Sequence, residues 1–155
     1  MVIIRARPEQ AASLAQIVFA AKRHWGYPRA WLEAWSGALT LTPDYIATHP
    51  TYIVTIADRV AGFYALQISS EPALLDHLWI APDFMHAGLG RALFAHAVKI
   101  AAHSGQRVLK IVSDPNAEGF YNKMRAQTVG KEHAVVEEQT RNLPVLEMRL
   151  NRPGL

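Results

Sequence analysis

Residues 74–91 read Leu74-Leu75-Asp76-His77-Leu78-Trp79-Ile80-Ala81-Pro82-Asp83-Phe84-Met85-His86-Ala87-Gly88-Leu89-Gly90-Arg91, and the rest of the chain arranges itself around them. The apolar run from Leu74 to Ile80 predicts a strand. Pro82 ends it, and a glycine-containing turn leads into a helix from Leu89 to His103. There Leu89, Leu93 and Ile100 make one apolar stripe, flanked by Phe94, Val98 and Ala101, so the helix is half buried. Gly105 suits a left-handed C-terminal cap, and Val108 to Val112 is a compact second strand. The first turn of a helix has unpaired N–H groups and a partial positive charge, so a pyrophosphate docked there collects several hydrogen bonds. Glycines let a ligand approach the backbone closely. By itself, two glycines at such a turn serve tight packing as readily as phosphate.

Upstream, Val2-Ile3-Ile4 is a β-branched run and Pro8 marks a helix start. From Glu9 to Arg23, Leu14, Ile17, Val18 and Ala21 recur at helical spacing; a second helical piece spans Pro28 to Ser36, with His24-Trp25-Gly26-Tyr27 as the loop between. Thr51 to Ile56 and Val60 to Ile68 read as a hairpin turning at Asp58-Arg59. Downstream come a helix from Asn116 to Met124 and strands from Thr128 to Val136 and Val145 to Leu150. The expectation is one mixed α/β domain over residues 1–155, with a central mixed sheet of about seven strands and four helices, in the order β-α-α-β-β-β-α-β-α-β-β.

Of the 155 residues, 50% are hydrophobic and 19% charged, the balance of an ordinary folded domain. There is no cysteine, which removes disulfides, thiolate metal sites and a cysteine nucleophile. The net charge of +3 comes from scattered arginines rather than a basic stripe, so nucleic acid is not an expected partner. Apolar runs fall short of a membrane span and the N-terminus lacks a signal peptide's layout, so the expected setting is cytoplasmic, without a membrane. His49, His86, His96, His103 and His133 lack paired metal spacing, and no metal is expected. A P-loop is absent, and the third glycine of a dinucleotide fingerprint is replaced by Leu93.

Two segments together are more specific than the glycine turn alone. Met85-His86-Ala87-Gly88-Leu89-Gly90 resembles the Q/R-x-x-G-x-G/A turn of the GNAT superfamily of N-acetyltransferases, matching at both glycines and departing at Met85. Asn116-Ala117-Glu118-Gly119-Phe120-Tyr121-Asn122-Lys123 is similar to that family's N-A-x-x-F-Y-x-K helix start, with Arg125 where a glycine is usual afterwards. The resemblance implies acetyl-CoA as cofactor and coenzyme A as product. Leu78, Trp79 and Ile80 would run beside the pantetheine arm, and the turn from Met85 through His86, Ala87, Gly88, Leu89 and Gly90 to Arg91 would hold the pyrophosphate. Asn116, Tyr121 and Lys123 would complete the cofactor site. Taken alone, Tyr121 reads as a buried aromatic beside Phe120; in the family its phenol protonates the leaving thiolate, a task its pKa of ~10 suits.

The function implied is transfer of an acetyl group to a primary amine of a small molecule, less readily a peptide or protein amine, by direct attack in a ternary complex. The alternative is a non-catalytic acetyl-CoA-binding regulatory module. For the general base, Asp76 lies on the same strand face as Leu74 and is the first choice; His77, facing the other way, is the second, and Glu71 the third. Both Asp76 and His77 are equally readable as residues that fix the strand's entry. Acceptor recognition falls to His24, Trp25, Tyr27 and Trp31 and to the segment with Glu137, Glu138 and Arg141, where aromatics beside acids would suit a cationic or aromatic amine. Trp25 and Trp31 are as readily aromatics that cap the core. Expected partners are acetyl-CoA and a small amine, with a homodimer as one assembly open to the chain.

Overall fold

The protein is described by a computed structural model covering residues 1–36, 41–69 and 71–151. The chain runs β1 (Val2–Arg5), α1 (Ala11–His24), α2 (Arg29–Trp35), α3 (Pro43–Thr48), β2 (Thr51–Ile56), β3 (Arg59–Gln67), β4 (Ala73–Ile80), α4 (Leu89–His103), β5 (Val108–Val112), α5 (Glu118–Lys123), β6 (Gln127–Val136) and β7 (Gln139–Arg149), with short 3-10 turns before α1, α4 and α5. The strands form one 7-stranded sheet in the order β1-β2-β3-β4-β5-β7-β6. Only β4 and β5 pair in parallel, as a strand-helix-strand crossover requires. The mixed α/β class and the central seven-stranded sheet agree with the sequence reading. No helix among the described residues is long and apolar enough to cross a membrane.

Each sheet face carries its own core. On one, α4 buries Leu93, Phe94, Ala97 and Ala101 against Tyr64, Leu66, Leu75 and Ile111. Full burial of side chains such as Leu93 and Phe94 contributes about 2–3 kcal/mol each. On the other, α1 presents Leu14, Ile17 and Val18 to Ile53, Phe63 and Ile46.

Three expectations are corrected. First, α3 is a helix to which the sequence reading assigned no element: Thr42 caps it by accepting from the Tyr45 N–H at 3.0 Å, with Pro43 at its first position and Asp44 in its first turn. Five α-helices therefore replace the expected four. Second, β7 begins at Gln139, not Val145, because Gln139 to Leu143 pair with β6 as a two-stranded arm around a turn at Glu137 and Glu138. Third, the helix expected from Asn116 starts as a 3-10 turn, Pro115–Ala117, before α5.

The detail that shapes the site is a bulge in β4. Ala65 pairs with His77 and Leu66 with Leu75, leaving Asp76 as the extra residue. Beyond it, Ala81 donates to the Ala61 carbonyl at 2.8 Å, which sets the hydrogen-bonding alternation along β3. By that alternation the main-chain groups of Leu78 and Ile80 point away from β3, toward β5. Yet β5 pairs with β4 only from Ala73 to Leu75. The two strands part beyond that point and leave those groups facing a gap.

Candidate active site

A cavity of about 650 Å³ opens where β4 and β5 separate. Leu78, Trp79 and Ile80 line it from β4, Phe84 to His86 and Gly88 to Arg91 from the turn, and Asn116, Ala117, Phe120, Tyr121, Lys123 and Met124 from α5 and its flanks; Ala21 of α1 and Trp25 just after it close the end. Every residue expected to hold the cofactor is on this wall except Ala87, which lies within the turn but does not line the cavity.

At the turn, Met85 donates its N–H to the Pro82 carbonyl and Ala92 donates to Gly88, but the main-chain N–H groups from His86 to Arg91 have no protein partner among the described residues. Gly88, with φ of 81°, is in the left-handed region that side chains resist, and His86 at 65° shares it. The turn therefore aims successive N–H groups outward at the positive end of α4, which fits a pyrophosphate. Gly88 has space around it and is restricted only by its φ, whereas Gly90 lies outside that region and a methyl group there would meet the Phe120 ring at an ordinary 3.5 Å.

Tyr121 is 6% exposed, with its ring edge-on to Phe94 at 5.6 Å and to Phe120 at 5.1 Å. Its hydroxyl makes no hydrogen bond among the described residues and belongs to the cavity wall. Burial, with a smaller push from the Asp114 charge, raises its pKa well above the ordinary phenol value. The group stays protonated at neutral pH.

Asp76 and His77 do not line the cavity. The Asp76 carboxylate accepts from the Tyr45 hydroxyl and from Gln67 Nε2 at 3.1 Å. His77 Nδ1 accepts from the Trp79 indole at 3.1 Å, which places the imidazole proton on Nε2. The bulge overturns the expectation that the two face opposite ways: Tyr45 touches both, bonding Asp76 and packing edge-on to the His77 ring at 6.0 Å. Burial lowers the His77 pKa, more than the neighbouring Asp76 charge raises it, and keeps the ring neutral.

Of the residues expected to read the acceptor, only Trp25 lines the cavity, with its ring 5.8 Å from that of Trp79. His24 is exposed at the end of α1, and Glu137 is exposed at the tip of the β6-β7 arm. Tyr27 and Trp31 stack on each other at 5.8 Å behind the wall, joined by Trp35. Their faces are occupied by the protein's own cations. Lys22 Nζ sits 3.9 Å from the centre of the Trp35 ring, and the Arg141 guanidinium lies over Tyr27, Trp31 and Trp35. Acids beside aromatics were expected here; the acid is Asp114, which pairs with Lys22 at 3.3 Å and Arg141 at 3.6 Å. The Tyr27 hydroxyl donates to Asp114 and accepts from Arg141 at 2.7 Å and Asn116 at 3.0 Å.

Sequence reasoning passed over Lys22, Asp114 and Trp35. A signal existed for Lys22, since it falls four residues after Val18 on the buried stripe of α1, an unusual place for an unpaired lysine. Burial pushes the Asp114 carboxyl up, but hydrogen bonds from Asn116 and Tyr27 and the Lys22 charge outweigh it and hold the pKa below its ordinary value.

A family model described as "Acetyltransferase (GNAT) domain" matches residues 46–124, from α3 through the glycine turn to the end of α5. The chain belongs to the GNAT acetyltransferase family. As a member it is an acyltransferase that uses acetyl-CoA. No curated protein matches the chain. Solved structures similar to it include a GCN5-related N-acetyltransferase from Rhodopseudomonas palustris, with a TM-score of 0.82 at 22% identity over 96% of this chain and 95% of that one. The PaiA N-acetyltransferase from Thermoplasma acidophilum in complex with coenzyme A gives 0.77 at 17% identity, covering 96% and 98%. The ribosomal-protein-S18-alanine N-acetyltransferase from Escherichia coli gives 0.73 at 16%, covering 99% and 96%.

Proposed function

We propose that this GNAT enzyme acetylates a primary amine of a small molecule by direct attack in a ternary complex, with Tyr121 as the acid. The observation that carries the reading is the unpartnered, protonated Tyr121 hydroxyl on a cavity that also bears the open N–H turn and the gap beside β4. A merely structural phenol at this depth would be expected to have a partner. Bound acetyl-CoA supplies an activated thioester.

The N–H groups from His86 to Arg91 bind its pyrophosphate, and the free main-chain groups of Leu78 and Ile80 take the pantetheine arm as an added strand. Asn116 turns its amide nitrogen toward the Asp114 carboxylate and keeps its oxygen free of protein partners among the described residues, ready to accept from the arm. The Ile80 N–H serves the developing oxyanion. Tyr121 gives its proton to the departing sulfur and is reprotonated by the proton that the attacking amine sheds as it becomes an amide. Asp76 and His77 act by holding the bulged strand, since Asp76 is engaged by Tyr45 and Gln67, and His77 has its basic nitrogen on Trp79. With no cysteine in the chain, direct attack without an acyl-enzyme fits the residues present.

Two measurements on the purified protein test this. Acetyl-CoA at about 100 times its Kd should stabilise the fold by about 2.7 kcal/mol, read as a rise in Tm, and a panel of amines should contain one that releases free thiol. Binding with no thiol release from any amine would favour the regulatory module instead.

A further inference from the structure

Behind the Trp25 end of the cavity wall, the protein holds more positive charge than it neutralises. Lys22, Asp114 and Arg141 have side chains only 7%, 7% and 12% exposed, and both cations share the one carboxylate. No second acid pairs with either cation among the described residues. Aromatic faces offset part of that burden, but they do not cancel a formal charge. Arg141 spends only Nη2 on the protein, on the Tyr27 hydroxyl and Asp114. Its Nε and Nη1 have no protein partner among the described residues and are not sealed from solvent. A guanidinium with an open edge is the group best shaped to grip a carboxylate through two parallel hydrogen bonds. The cluster also adjoins the cavity: Asn116 lines it and bonds to Asp114 and Tyr27, while Trp79 lines it with its ring 5.4 Å from Lys22 Nζ.

We propose that the acceptor is an amine that also carries a carboxylate, an amino acid or a close relative, whose carboxylate docks on Arg141 and is drawn by the Lys22–Arg141 surplus. This rests on the reading of the chain as a small-amine acetyltransferase and narrows it. It also reverses the charge first suggested by the aromatics. Their faces are taken by Lys22 and Arg141, so a polycationic amine would meet like charge.

The test pairs α-amino acids with the amines that lack only the carboxylate, such as phenylalanine with phenethylamine and lysine with cadaverine, and adds spermidine. Two readouts are used: thiol release with acetyl-CoA, and quenching of tryptophan fluorescence by each acceptor in the coenzyme A complex, which needs no turnover. The carboxylated member of at least one pair should be preferred by about tenfold or more, the least expected from a charge-assisted contact. In Arg141→Met, which keeps the stem on the rings, that preference should collapse, and Arg141→Lys should restore part of it. Equal or stronger binding of the decarboxylated amines or spermidine in every pair, or an undiminished preference in Arg141→Met, overturns the proposal. Carboxylate-dependent quenching without thiol release would uphold the docking site while sinking the catalytic reading, so the two fail separately.

Discussion

At the Gly88 end of the cavity the free polar groups are main-chain N–H groups of consecutive residues, whereas behind the Trp25 end the charge sits on side chains gathered from α1, the start of the α5 segment and β7. The first end depends on the backbone conformation of the turn, with His86 at φ of 65° and Gly88 at 81°. The second depends on charge balance among residues 92 and 114 positions apart in sequence, as in Lys22–Asp114 and Tyr27–Arg141. Perturbing the two ends should therefore have different signatures: lost stability at the charged end and lost cofactor affinity at the main-chain end.

The largest effect is expected from Asp114→Ala. It strands Lys22 and Arg141 as buried, unpaired cations, a loss of about 3–5 kcal/mol in denaturant unfolding. A loss below about 1 kcal/mol would mean that aromatic faces and water already satisfy both cations. The same carboxyl predicts a pH dependence. Because its folded pKa lies below its unfolded value, its stabilising contribution is complete above the ordinary carboxylate pKa of ~3.9 and is lost as pH falls through the folded value. The Tm of Asp114→Asn should accordingly fall less steeply than that of the wild type on acidification below about pH 4.

At the other end, Gly88→Ala forces a side chain into the left-handed conformation at 81°. It should cost about 1–2 kcal/mol of stability and weaken acetyl-CoA binding in calorimetry. Gly90→Ala, whose methyl group meets only ordinary contacts, should disturb both far less. Equal effects would show that the turn works by close approach rather than by conformation. A gain rather than a loss is expected at Arg125, which adopts φ of 76° just after α5. Arg125→Gly should add about 1 kcal/mol of stability with acetyl-CoA affinity unchanged, since it relieves a local cost away from the cavity wall.

The same contrast explains what could be read from the sequence. Helix α4 and strand β5 have the bounds expected from periodicity, and the glycine turn was legible because strand, turn and helix are contiguous. The bulge at Asp76 was not, since an extra residue in β4 shows only against its partner β3, and it turned His77 to the unexpected side. Helix α3 was missed although Thr42-Pro43-Asp44 is a start signal, because six residues give too short a stripe to register as a period. The charged cluster was legible only in part, through Arg141 in the acceptor segment and Lys22's place on the α1 stripe. Asp114 looks like an ordinary surface residue until folding pairs it with both cations.

The most direct test of the account is Tyr121→Phe, assayed for acetyl-CoA affinity and for amine-dependent thiol release with the acceptor found by screening. The hydroxyl has no protein partner to lose, so affinity and Tm should stay close to wild type while kcat falls about 100-fold or more. An unchanged kcat would contradict the role given to Tyr121, and with it the reading of the cavity as an acetyl-transfer site built around that phenol.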